Sequence, residues 1–153
     1  MNCLRQKWVI HNYFSVDDKG GPHLRTVLIL DDDLGFVFWL GHLLDTAGYS
    51  ALPAKSVPDA AMLIMQLDLR VDVLLVNLAL AGAADFIGAL HRSQQDLKVI
   101  GVLNDPAETA HIPRVNAVQL KNPTLSEAAR LEWLECVALV LGSGNTPAHQ
   151  AGS

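Results

Sequence analysis

Three short stretches of this chain, Thr26–Leu30 (TVLIL), Val73–Leu78 (VLLVNL) and Val99–Leu103 (VIGVL), are apolar at nearly every position. A strand with one face in water alternates apolar and polar residues; a strand with no polar face must be covered on both sides. Segments of helical spacing lie between these runs. Phe36–Ala47 aligns Val37, Leu40, Leu44 and Ala47 and stops at Gly48, a helix C-terminal signal. Ser56 reads as an N-cap, with Asp59 three residues on, and opens a helix through Leu67. Ala84–Arg92 reads as a short helix, and Tyr49–Ala54 and Ala117–Leu120 as weaker strands. Thr124-x-x-Glu127 reads as a capping box opening a last helix that runs to Gly142. The order βαβαβαβ–βα predicts an α/β domain with a parallel sheet covered by helices on both faces.

Length and composition agree with one such domain. The chain has 153 residues, half of them hydrophobic and 18% charged, which excludes a disordered polymer. A net charge of −5 leaves no excess of Lys and Arg to release counterions, so no nucleic acid and no anionic membrane is expected as partner. Cys3 and Cys136 have no metal-ligand spacing and read as free thiols, with Cys136 a core packer. No apolar run reaches membrane-spanning length and no cleavable leader is visible, so a cytoplasmic location is expected. Residues 1–25 read as an N-terminal extension with an aromatic segment, Trp8–Phe14. Residues 26–142 read as the domain, and 143–153 as a disordered tail too short to fold as an output domain. The aromatic leader is expected to cover an apolar patch or to mediate self-association as a homodimer.

In a doubly wound sheet the site lies beyond the carboxyl ends of the strands. That singles out Asp31, Asp32 and Asp33, then Asn77, Leu103 and Asn104, and Lys121 and Asn122. Carboxylates clustered at a strand end supply the hard oxygens that Mg²⁺ takes; the plainer reading has one Asp capping the next helix and the others solvated. The six histidines show no metal-ligand spacing, and no Gly-rich loop joins a strand to a helix. Trp39 and Trp133 read as core or boundary packing.

The segments VLILDDD (27–33), AGYSA (47–51), DVLLVNLALAG (72–82), KVIGVLND (98–105) and AVQLKNP (117–123) resemble the receiver domain of bacterial two-component response regulators, over about residues 25–141. The resemblance implies a flavodoxin-like (CheY-like) doubly wound sheet of five parallel strands in the order 2-1-3-4-5. It places a Mg²⁺-binding acidic pair at Asp31 and Asp32 and the phosphoacceptor position at Asn77. These side chains are expected to gather about a common point, within metal-coordination distance. It also places a phosphate-gripping hydroxyl at Leu103, an aromatic switch residue at Gln119, and a lysine directly before a proline. Four of these positions depart from the pattern. An uncharged amide cannot form an acyl phosphate, Leu103 has no hydroxyl, and Gln119 is not aromatic. The residue before Pro123 is Asn122, with Lys121 one place earlier. Because a one-residue shift on a strand turns a side chain to the opposite face, Lys121 is expected to point away from the site.

Pro106 and Pro113 confine the helix before the last strand to about two turns at most, around Ala107–His111. The resulting expectation is a degenerate receiver-like (pseudo-receiver) domain of phosphorelay signalling. It would be no enzyme, would have no cofactor beyond weak Mg²⁺ at Asp31 and Asp32, and would act by binding a signalling protein. Two alternatives stand beside it. One is a working receiver with another acceptor, such as Asp32. The other is a small Mg²⁺-dependent phosphatase of the haloacid-dehalogenase type, with Asp31 as nucleophile and Asp33 as acid/base; that family needs a later acidic pair, and only Asp105 stands near the place.

Overall fold

The computed structural model describes residues 24–108, 114–121 and 125–143. Five strands alternate with helices: β1 (Thr26–Leu30), α1 (Leu34–Thr46), β2 (Ser50–Ala54), α2 (Val57–Leu67), β3 (Val73–Asn77), α3 (Ala83–Ser93), β4 (Lys98–Leu103), a 3-10 turn (Pro106–Glu108), β5 (Ala117–Leu120) and α4 (Glu127–Ser143). The strands are all parallel, as the pattern predicts, and lie in the order β2-β1-β3-β4-β5 that the resemblance implies. Every residue of β1 and β3 is buried, which is why those stretches carry no polar face. β5 forms an edge and alternates half-buried and exposed residues.

Each face of the sheet has its own core. On one, Val27, Ile29, Leu75, Ile100 and Val102 meet Val37, Leu40 and Leu44 of α1 and Trp133, Val137 and Val140 of α4. On the other, Leu28, Leu30, Leu74, Val76 and Val99 meet Ala60 and Leu63 of α2 and Ile87 and Leu90 of α3. Each such side chain contributes about 1.5–3 kcal/mol when fully buried, so the two layers hold the strand ends in fixed relation. Cys136 is half-buried against the first core.

Local signals place most helix ends. Ser56 Oγ accepts from the Asp59 amide at 3.2 Å, and Gly48 takes a left-handed φ of +99° just past α1. The last helix differs from expectation. Its cap is Ser126, whose Oγ accepts from the Ala129 amide at 3.2 Å, and the first helical residue is Glu127. Thr124 lies outside the described residues. The sequence offers two hydroxyl residues two places apart, and the helix takes the second as its cap.

Between β4 and β5 the described chain makes only the 3-10 turn, held by Asp105 Oδ1 accepting from Ala107 N at 3.0 Å. The remainder of the short helix expected around Ala107–His111 falls outside the described residues. Ala117 pairs with Ile100 and shares its face, so Val118 and Leu120 project on the α2–α3 side, where they remain 54% and 36% exposed. Gly101, beside Val118, leaves room for Leu78: a Cβ there would stand 2.7 Å from Leu78 Cδ1. Among the described residues no helix is long and apolar enough to cross a membrane.

Candidate functional site

The three aspartates that follow β1 take three different positions. Asp31 extends the ladder by one residue, its amide donating to the Ala54 carbonyl at 3.1 Å, and its side chain is fully buried. Asp31 Oδ1 accepts from the Asp33 amide at 2.9 Å, which turns the chain toward α1. Asp33 is the cap of that helix, with Oδ1 accepting from Phe36 N at 3.2 Å. Asp32, between them, is exposed. A run that reads as one acidic cluster thus resolves into a buried carboxylate, a solvated one and a helix cap.

Asn77 ends β3 and is 3% exposed. Its Oδ1 accepts from the Ala79 amide at 2.9 Å, which fixes the amide orientation and directs Nδ2 at Asp31 Oδ1, 3.3 Å away. A carboxylate at position 77 would face Asp31 as a like charge; the amide faces it as a donor.

Lys121 corrects the sequence-based expectation. Its side chain turns into the site: Nζ lies 2.9 Å from Asp31 Oδ2, 3.5 Å from Asp33 Oδ2 and 4.8 Å from the centroid of the Phe36 ring. The phase of β5 explains this. Ala117 and Gln119 are half-buried while Val118 and Leu120 are exposed, and Lys121 continues the alternation on the inner side. The Lys121 amide donates to the Leu103 carbonyl at 2.7 Å, so the pairing runs one residue past the strand and keeps that phase. Counting along β5, not back from Pro123, gives the face.

The structure therefore brings Asp31, Asn77 and Lys121 together, with Asp33 at the rim. Leu103 is buried at the end of β4 and offers no polar side-chain atom; Gln119 is half-buried on β5. Asn122 lies outside the described residues. The pattern gave no warning of the contacts of Lys121 with Asp33 and Phe36, which join the cap and first turn of α1 to the far edge of the sheet.

Electrostatically, this site carries its own cation. Asp31 Oδ2 sits 2.9 Å from the ammonium but off the hydrogen-bond direction, so charge rather than an aligned hydrogen bond holds the pair. The Lys121 side chain is 13% exposed and that of Asp31 is 0% exposed, so water screens the attraction little. Mg²⁺ requires about six oxygens at roughly 2.1 Å in near-octahedral array. Here Asp31 Oδ1 faces two N–H donors and Oδ2 faces an ammonium. Among the described residues no group of three His, Cys, Asp or Glu could hold a metal ion. The residues as folded do not fit the ion: to bind Asp31 it would have to displace Lys121.

No protein-family model and no curated protein matches this sequence. Solved structures do. The chain is similar to a CheY-like response regulator receiver domain protein from Methanospirillum hungatei, at 18% identity and a TM-score of 0.65, covering 80% of this chain and 98% of that one. It is similar to the chemotaxis response regulator CheY4 of Vibrio cholerae, at 20% identity and a TM-score of 0.59, over 74% and 98% of the two chains. It is also similar to the response regulator TrrA of Thermotoga maritima, solved in complex with Mg²⁺-BeF, at 15% identity and a TM-score of 0.58, over 71% and 96%. These likenesses establish the CheY-like, flavodoxin-like fold.

Proposed function

We propose that this chain is a receiver-like domain of two-component signalling that works by binding a partner protein, without accepting a phosphoryl group. The observation that carries this reading is Asn77, buried at the end of β3 and donating to Asp31 where the fold's relatives would need a nucleophilic carboxylate. An amide nitrogen has its lone pair delocalised into the carbonyl and cannot attack phosphorus to give an acyl phosphate. Lys121 does not stand free for an incoming phosphate, because it neutralises Asp31. Leu103 has no hydroxyl to offer an equatorial oxygen. Asp32 is a carboxylate, but an exposed one, with the ammonium of Lys121 turned to its neighbours instead.

A site whose charges are already paired presents one surface at all times. A ligand shifts a conformational equilibrium only by its differential affinity for the two states, and this pocket offers phosphate no such handle. Output would follow from the amount of the protein and its access to partners in the cytoplasm. The test is incubation with acetyl phosphate and millimolar Mg²⁺, followed by intact mass and by release of inorganic phosphate. Unchanged mass and no release are expected. Accumulating phosphoprotein would establish a working receiver using another acceptor such as Asp32, and steady release from a small phosphate ester would establish a phosphatase; either overturns the proposal.

A further inference from the structure

The outer side of α4 mixes exposed leucines with acids. Ala129, Trp133, Val137 and Val140 are buried against the sheet. The opposite side carries Ala128, Leu131, Ala138 and Leu139, all exposed, with Leu131 at 58% and Leu139 at 73%. Leu131, Glu135 and Leu139 follow each other at i, i+4 spacing, so the outer leucines form one stripe with an acid between them. Leu131 and Leu139, exposed on a helix whose other side is already buried, offer a place where another apolar segment can be covered. The rim is acidic: Glu127, Glu132 and Glu135 are on α4, and its one basic residue, Arg130, is paired with Glu127 at 3.3 Å.

Three observations point to one occupant. The first is where the chain enters. Arg25, directly before β1, lines the same cleft as Leu141 in the last turn of α4, so the described chain begins at the foot of this helix. The second is reach. Nine residues, 15–23, separate Phe14 from Leu24, and extended they span up to about 30 Å. The 17 residues of α4 are about 25 Å long. The third is chemistry. The segment Trp8–Phe14 (WVIHNYF) is rich in aromatic and branched residues, and Arg5 and Lys7 directly precede it with charge opposite to the rim.

We propose that Trp8–Phe14 packs along the outer stripe of α4 in its own chain, over Leu131 and Leu139, with Arg5 and Lys7 toward Glu135. The extension then acts as a tethered cover on an interaction surface, and a partner that uses α4 must displace it. Because the segment is tethered, its docking is governed by a millimolar-scale effective concentration and tolerates weak intrinsic affinity.

The test attaches a nitroxide to Cys3 in the full chain carrying Cys136→Ala and maps amide line broadening by NMR. Broadening concentrated on α4 from about residue 128 to 142, unchanged on dilution, is expected. It should be lost in the surface variants Leu131→Glu/Leu139→Glu, and equally in Trp8→Ala, which leaves the domain untouched. Broadening elsewhere or nowhere, or its persistence in both variants, overturns the proposal. So does broadening that passes to an isotope-labelled copy when nitroxide-bearing and nitroxide-free chains are mixed, which would make the occupant a second copy.

Discussion

Replacing Lys121 with Met keeps the length and the apolar stem of the side chain and removes only its charge. Asp31 is fully buried and its Oδ2 stands 2.9 Å from Nζ, so the substitution strands a carboxylate away from water. Two unit charges about 4 Å apart attract by about 4 kcal/mol at an effective dielectric of 20. Removing one partner of a buried pair costs about 3–5 kcal/mol. The 13% exposure of Lys121 places this case at the lower end of that range. Its second contact, to the half-exposed Asp33 at 3.5 Å, adds little. The cation–π contact with Phe36 is worth about 0.5–1 kcal/mol, part of which a Met sulfur replaces. The expected loss is about 3 kcal/mol, or roughly 10 °C in melting temperature for a domain of this size. Melting followed by circular dichroism in chelator measures it. Added Mg²⁺ should then restore several degrees to the variant, because a ligand that binds only the folded state stabilises it, and should leave the parent protein unmoved. A drop below about 3 °C, or a Mg²⁺ gain as large in the parent as in the variant, would refute the view that Lys121 is the resident counter-ion.

Three further outcomes follow from the same geometry. Asn77→Asp replaces the 3.3 Å amide donation to Asp31 with a like charge; with Lys121 still shared between them, it should cost about 1–3 kcal/mol in urea unfolding with chelator, and millimolar Mg²⁺ should recover part of the loss. Gly101→Val would push a branched side chain into Leu78, whose Cδ1 already lies 2.7 Å from the Cβ position, and should lower the urea midpoint by about 1–3 kcal/mol equivalent. Burial pushes the Cys136 thiol above its ordinary range. Alkylation of Cys136 in a Cys3→Ser variant should therefore be slow at neutral pH and still be rising in alkaline solution, whereas a rate that levels off near neutrality would contradict its burial. The folded chain holds that proton more tightly than the unfolded one. The contribution to stability is full below the ordinary thiol value and is lost as pH rises through the raised one.

What the sequence determined by itself was the sheet. TVLIL and VLLV are apolar without interruption because both faces of β1 and β3 are covered, and that property calls for a parallel sheet with flanking helices; the order 2-1-3-4-5 came from the resemblance to receiver domains. It also singled out Asp31 and Asn77, which stand at the carboxyl ends of apolar strands that the structure lays side by side. The division of labour among Asp31, Asp32 and Asp33 was not legible, since consecutive carboxylates look alike until a turn assigns one to the interior and another to a helix amide. The sequence likewise offered both Thr124 and Ser126 as caps, and only the hydrogen bond from Ala129 N to Ser126 Oγ identifies the one used. Lys121 shows the limit most plainly. Measured from Pro123 it points outward; measured along β5 it points inward, to Asp31. The phase of an edge strand comes from hydrogen bonds to its neighbour, here Lys121 N to Leu103 O, and no pattern within four residues can report which carbonyl lies opposite.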